Sequence, residues 1–442
     1  MPGNTNQSHV ITIDQEVENM KKQMKEPPKL LHKSAGKNSC CIFRVPPSLL
    51  EINKEAYQPR IVSIGPYHYG NKHLEMIQEH KWRFLNDMIT RNTSKSLSFY
   101  MDIIVNMDDK IRECYSESID HLAKNDLAKM MVLDGFFLIE LFRKVGKLVT
   151  TNQDDPIFKM GWISPFLMRD LLRIENQIPF FVLQELFKES EPSTRTLQSL
   201  ILEFFNYMVD RKPEVLEKCE NLEGKHLLDF YRKSFIETRN RKSNAPKNND
   251  KSNHPSLKLI RPATKLVNVG VKFKVNYQAD SFLDIEFQNG LLLIPQINMD
   301  DFHSAFFMNC MAFEQCYSTC SKDITTYVVF MGCLMSTSTD VGLLSQNKII
   351  ENYFGTDKEI AKFFKNVGKD VAFDVKTHYL SDLFVELNEY CKNGWHVGWA
   401  GFKHTYFESP WASISAFAAF MLLSLAALQT FYTVFPYYHN KK

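Results

Sequence analysis

At 442 residues the chain has room for one large domain or two to three ordinary ones, and its 44% hydrophobic and 24% charged residues are those of a globular protein. A formal net charge of +2 gives no support to a nucleic-acid partner. With 34 phenylalanines against 17 glycines, large helical cores are expected rather than turn-rich β structure, and nine cysteines read as reduced thiols rather than a disulfide scaffold.

Residues 1–37 are polar and end near Pro27-Pro28. They predict a disordered or loosely helical arm, with Ile13, Val17, Met20 and Met24 spaced for one amphipathic turn after another. Prolines 46, 47, 59 and 66 forbid a long helix over 40–73, so this stretch should run extended and pack onto the body. A helix follows, with Leu74, Ile77, Lys81, Phe84, Leu85 and Met88 on one face and Lys81 its only charge. The run 130–142 (MMVLDGFFLIELF) is apolar almost all round and predicts a central buried helix. Residues 166–187 predict another, broken at Pro179, and 197–209 and 225–237 two more. Residues 238–256 hold no large apolar side chain and read as a flexible loop.

Beyond that loop the period changes from helical to alternating. Val267, Val269, Val271, Phe273 and Val275 predict a strand, as do Leu283, Ile285 and Phe287. Asn289-Gly290 marks a hairpin near 282–295. A small antiparallel sheet of about three strands is therefore expected, with helices resuming from Ser304 to about Asn393.

Near the end, no Asp, Glu, Lys or Arg occurs from Ser409 to Tyr438. The nearly all-apolar run 414–434, in a helix expected over about 412–434, reaches roughly 30 Å, the thickness of a bilayer core. Trp411 stands at one end and Tyr432 toward the other, with Ile414, Phe417, Phe420, Leu422, Leu425 and Leu428 between. This predicts one transmembrane helix within 409–442 and a lipid-bilayer partner; small residues such as Ser415 and Ala419 are spaced so that self-association through the span is possible, although such spacing is common by chance in an Ala-rich span. An N-terminus without an apolar leader then predicts a tail anchor, with the body (38–408) in the cytosol at the plasma membrane or endoplasmic reticulum.

Several motifs occur together in order: Arg44-Val45-Pro46, Tyr57-Gln58-Pro59, Ser63-Ile64-Gly65-Pro66-Tyr67-His68, Leu133-Asp134-Gly135-Phe136-Phe137 and Glu175-Asn176-Gln177-Ile178-Pro179-Phe180-Phe181. Asn289-Gly290, Asn309-Cys310-Met311-Ala312-Phe313-Glu314-Gln315 and Ser409-Pro410-Trp411 complete the set. The chain resembles plant domain-of-unknown-function family 247 over residues 40–435, departing mildly where Arg173-Ile174 precede Glu175 in place of two leucines. The resemblance implies a plant source, a mostly helical body and a C-terminal membrane helix. It implies no established activity, although some members are linked to self-incompatibility loci in grasses.

No nucleophile elbow, zinc-protease, phosphate-loop or dinucleotide motif is present. Cys310, Cys316, Cys320 and Cys333 near His303 offer only one metal-like spacing, Cys316 to Cys320, so core thiols are the preferred reading and no metal or cofactor is expected. His68, His73 and His80 have no nucleophile beside them. Asp134, Glu140 and Glu175 lie in apolar segments. They could do acid–base work, or could tie down backbone where helices break, in a structural network with Arg44, Asn176 and Gln177; buried carboxylates need such partners, which favours the second. The expectation is a membrane-tethered, non-enzymatic module that recognises an unknown protein. The alternatives are an enzyme of unknown class using those carboxylates, and a self-incompatibility determinant.

Overall fold

The computed structural model describes residues 13–26, 28, 30, 31, 33–239, 259–353, 355–368, 371, 378–392 and 410–439. The chain is mainly helical, at 59%, with small sheets of three and two strands. Its contacts divide it into two compact units, Met1–Thr238 with Asp301–Ile324, and Arg239–Asp300 with Thr325–Lys442.

The first unit begins with α1 (Ile13–Lys25), which is exposed along its described length. An extended, buried stretch then leads into α2 (Pro47–Asn53), whose start is set by Pro47 at the first helical position. There follow α3 (Glu75–Arg91), α4 (Leu97–Val105), α5 (Asp108–Arg112) and α6 (Lys124–Val145). Next come α7 (Pro156–Lys159), α8 (Ile163–Leu171), α9 (Phe180–Glu189), α10 (Leu197–Asn206), α11 (Pro213–Glu217) and α12 (Leu227–Thr238). After an excursion into the second unit through α13 (Ala263–Val267), the chain returns as α14 (Asp301–Cys316).

An all-apolar helix can only be stable when covered on every side. α6 meets that condition, with α3, α4, α9 and α10 packed around it and Leu127 to Phe142 buried almost without interruption. On α3 the buried residues are Ile77, Lys81, Phe84, Leu85 and Met88, the face that helical spacing predicts. The expected break at Pro179 is wider than one proline requires. α8 stops at Leu171 and α9 starts only at Phe180, and the eight residues between are buried without helical hydrogen bonding.

In the second unit, β1 (Lys272–Val275), β2 (Glu286–Gln288) and β3 (Leu291–Ile294) form one sheet in the order β1-β3-β2. The β2–β3 hairpin turns through Asn289 and Gly290, both at positive φ (50° and 79°), as a two-residue turn demands. The wholly antiparallel sheet expected from sequence is corrected: β1 pairs with β3 in parallel, Phe273 opposite Leu292. The reason lies in the 276–285 connection, which is a loop and not a second hairpin. In it Asp284 accepts from the Asp280 and Ser281 amides (3.0 and 3.1 Å), so the strand expected at Leu283 starts only at Glu286. Val267 likewise ends α13 rather than opening a strand, because Pro262 starts that helix and Gly270 (φ 93°) turns the chain after it.

A second, parallel pair joins β4 (Ile297–Met299) to β5 (Ile350–Asn352). β5 interrupts the region expected to be helical throughout, where α15 (Asp323–Leu334), α16 (Ser338–Gln346), α17 (Asp357–Val367) and α18 (Ser381–Lys392) form. The chain's last helix is Pro410–His439. Its expected role as a transmembrane span is not supported. Among the described residues no single helix is long and apolar enough to cross a membrane, and the apolar stretch found there within this one is Phe417–Thr433. The side chain of Trp411 and the loop residues 240–256 lie outside the described residues.

Candidate functional site

Proline keeps residues 42–68 out of helices, so their buried backbone groups need partners from elsewhere. Side chains of the first unit supply them. Glu175 Oε1 accepts from the Val45 amide at 2.8 Å, and Asp170 Oδ2 from Arg60, Ile61 and Val62 at 2.8, 2.7 and 3.2 Å. Asn176 Oδ1 accepts from Ile64 (2.7 Å) and Asp134 Oδ2 from Gly65 (2.8 Å). In the other direction, Asn176 Nδ2 donates to Val62 O (3.0 Å), Arg173 to Glu55 O (2.9 Å), Asn309 to Ala56 O (2.9 Å) and Lys81 to Ser63 O. Gly65 sits at φ 73°, and a Cβ there would collide with the Gln177 carbonyl oxygen.

The buried bend between α8 and α9 is closed from within. Gln177 Nε2 donates to the Leu171 and Arg173 carbonyls at 2.8 Å each, and its Oε1 accepts from the Leu228 amide at 3.2 Å. The Ile174 amide donates to Asn309 Oδ1 at 3.0 Å. One set of amide and carboxylate side chains thus ties the extended strap, the bend, α12 and α14 together.

The strap's surface end carries the most chemistry. Arg44 Nη1 lies 2.8 Å from Glu175 Oε2, its Nε 3.2 Å from Glu117, and its guanidinium 4.1 Å over the Tyr67 ring. His68 Nε2 stands 3.3 Å from Glu175 Oε2. The side chains of Arg44 and Glu117 keep 37% and 24% of their exposure, against 10% for Glu175 and His68, so Arg44 and Glu117 are the more exposed members of these ion pairs. Burial alone would raise the Glu175 carboxyl, but His68, the Val45 amide and Arg44 outweigh it and hold it below its ordinary value. At Asp134 the balance is reversed: burial raises the carboxyl against the opposing pull of Lys81 and the Gly65 amide.

Of the residues singled out from sequence, Arg44, Asp134, Glu175, Asn176 and Gln177 meet around the strap. Glu140 does not. It is buried beside Arg91, whose Nη2 reaches both its oxygens at 2.8 Å, and Arg143 (3.2 Å). Asp170, Lys81, Arg173 and Asn309 belong to the strap network but were not singled out as members of it. Lys81 carried a visible signal as the one cation on an apolar face. A further buried set, Arg232 with Glu314 (2.7 Å) and Asp229 (3.3 Å), carries no sequence signal beyond the i,i+3 spacing of Asp229 and Arg232. His73 and His80 do not join His68: His73 contacts the Pro59 carbonyl at 3.3 Å and His80 accepts from Arg83 at 3.3 Å.

All nine cysteines are free, and among the described residues no group of His, Cys, Asp or Glu is placed to hold a metal ion. Burial raises Cys316 and Cys333 to about 11 and Cys320 to about 12, so these thiols stay protonated at neutral pH. In the second unit a cavity of about 460 Å³ lies among Ile260, Pro262, Val329, Cys333 and Phe364, with Lys365 the one charged side chain among the described residues that line it.

The profile of a plant protein family of unknown function, DUF247, matches residues 42–425. UPF0481 protein At3g47200 of Arabidopsis thaliana is 41% identical over 433 residues, covering 94% of this chain and 90% of that protein. Putative UPF0481 protein At3g02645 of the same plant is 24% identical over 490 residues, covering 89% and 90%. No solved structure matches.

Proposed function

This chain belongs to the plant DUF247 family, and from that premise we propose that it is a non-catalytic protein, held at a membrane by its C-terminal helix, that acts by recognising another protein. The observation that carries the tether is the helix itself. Ile414, Phe417, Phe420, Leu422, Leu423, Leu425, Leu428 and Tyr432 are all more than half exposed, and they point to every side of Pro410–His439. Apolar surface of that extent in water is unfavourable, and lipid covers it without a specific partner. Within it the apolar stretch Phe417–Thr433 alone reaches about 25 Å of helix, most of a bilayer core of about 30 Å.

The non-catalytic part of the reading is supported by how the acidic side chains are used. Asp134, Asp170 and Glu175 accept from backbone amides of the strap and Glu140 is held by two arginines, which leaves none in a polar cleft. The tether also confines the body to a surface, where a weak protein contact gains effective concentration.

Carbonate washing of membranes from cells expressing the full chain tests the tether. The full chain is expected in the pellet, and a chain ending at residue 409 in the supernatant. A full chain released by carbonate would rule the tether out.

A further inference from the structure

The extended strap meets the end of α5 through an isolated parallel bridge, Ile42 with Tyr115. The Ile42 amide donates to the Cys114 carbonyl at 2.8 Å, and the Ser116 amide donates to the Ile42 carbonyl at 2.9 Å. In parallel pairing both chains advance together, so Cys41 stands opposite Cys114 one step before the bridge. Chains paired in this way lie roughly 4.8 Å apart, inside the span of about 4.4–6.8 Å between the α-carbons of a disulfide. The side chains meet as well: the Cys41 thiol donates a hydrogen bond to Cys114 Sγ. Both thiols are free in this structure.

The two sulfurs are not equivalent. Cys114 keeps 5% of its exposure against 2% for Cys41, which makes it the member nearer to solvent. Its thiol donates to the Lys110 carbonyl, one turn back on α5, at 3.3 Å. The hydrogen bond from Cys41 lowers the Cys114 thiol, and the exposed cations Lys110 and Lys225 add to this against the opposing effect of burial. The same hydrogen bond, together with burial, raises Cys41. Burial raises all the other cysteines too, Cys40 to about 12 among them. A thiol that ionises readily, set beside one that keeps its proton, is the arrangement of an attacking and a resolving cysteine.

We propose that Cys41 and Cys114 form an oxidation site that hydrogen peroxide converts into a disulfide, with Cys114 attacking and Cys41 resolving. The Cys114 thiolate attacks one oxygen of the peroxide and the O–O bond breaks. Cys114 becomes a sulfenic acid, and the departing hydroxide takes up the proton that the thiol had released. The Cys41 sulfur then attacks the sulfenic sulfur, the S–O bond breaks, and the hydroxyl leaves as water with the Cys41 proton. Two thiols are oxidised, and one peroxide is reduced to two waters. The new bond ties the start of the strap covalently to the end of α5. Cys40 is the rival resolving thiol, because it too lies within electrostatic reach of Cys114, but it stands out of register with the bridge.

This inference is independent of the membrane tether. The full chain is purified under dithiothreitol, freed of it, exposed to hydrogen peroxide in slight molar excess, blocked with N-ethylmaleimide in denaturant and digested with trypsin. Cleavage after Lys37, Arg44, Arg112 and Lys124 places Cys40 and Cys41 on one peptide (38–44) and Cys114 on another (113–124). The expected result is these two peptides joined by a bond that dithiothreitol breaks, retained in Cys40→Ser and lost in Cys41→Ser and Cys114→Ser. Fragmentation between Cys40 and Cys41 assigns the bond in the parent protein, which serves if a variant does not fold. In Cys41→Ser the sulfenic acid at Cys114 has no resolving partner and should be trapped by dimedone. With peroxide limiting, Cys114 should be consumed at least about tenfold faster than Cys320, whose thiol is raised to about 12. Absence of the joined peptides overturns the proposal, as does a bond that fragmentation or loss in Cys40→Ser assigns to Cys40.

Discussion

His226 shows most directly how a single residue couples the fold to pH. It is fully buried, edge-on to Phe313 at 4.9 Å, and its Nδ1 accepts from the Asp229 amide at 3.2 Å. Burial, acting against the pull of Asp229, lowers it from 6.5 to about 4. The folded value therefore lies below the unfolded one. Its contribution to stability is complete above about pH 6.5 and is lost as pH falls toward about 4. At 1.36 kcal/mol per unit the loss is roughly 3 kcal/mol. Urea unfolding at pH 7 and pH 4.5 should show a smaller acid loss in His226→Phe than in the parent protein. The missing acceptor for Asp229 affects the variant at both pH values and so leaves the difference intact. Equal acid losses would show that His226 is not the group responsible. At this scale the sequence is informative about single residues and silent about pairs. Lys81 stood out as a cation on an apolar face because helical period is local. Its partner Asp134 is 53 positions away, a distance that only folding closes.

Among the elements, the strap matters most, since it has no regular structure of its own. Prolines 46, 47, 59 and 66 made its irregular path legible, and the resemblance to the family flagged the motifs that hold it. What remained hidden was that Asp170, and not a neighbouring strand, serves three successive amides. Asp170→Asn removes the charge that Arg173 needs at 3.0 Å in a buried setting. It should cost roughly 3–5 kcal/mol, because one charge of a buried pair is left uncompensated. Denaturant titration measures this as a lower midpoint, and an unchanged midpoint would mean that the strap is held elsewhere. The strand misreadings have a related cause. Alternating burial is not unique to strands: Val269 and Val271 are buried on a turn between α13 and β1, and Leu283 and Ile285 on a loop.

For the whole molecule, the division into units follows no contiguous segment, since α14 returns to the first unit after α13 and β1–β4 have joined the second. The C-terminal helix is the part with least claim on the folded body, its described side chains being exposed apart from the half-buried Ser424. A chain ending at residue 409 should therefore unfold within about 0.5 kcal/mol of the full chain in detergent-free buffer, the range usual for changes away from buried contacts. A large loss of stability would show that the helix packs on the body. The sequence by itself determined the helical class, the buried α3 and α6, the Asn289-Gly290 turn, the irregular strap and the family, because each rests on local spacing, backbone restriction or an ordered set of motifs. Only the tertiary structure decided that Glu140 stands apart from Asp134 and Glu175, that β1 pairs in parallel, and that β5 exists. Those outcomes depend on which distant groups share a low-dielectric interior, where each polar atom must find its partner through space.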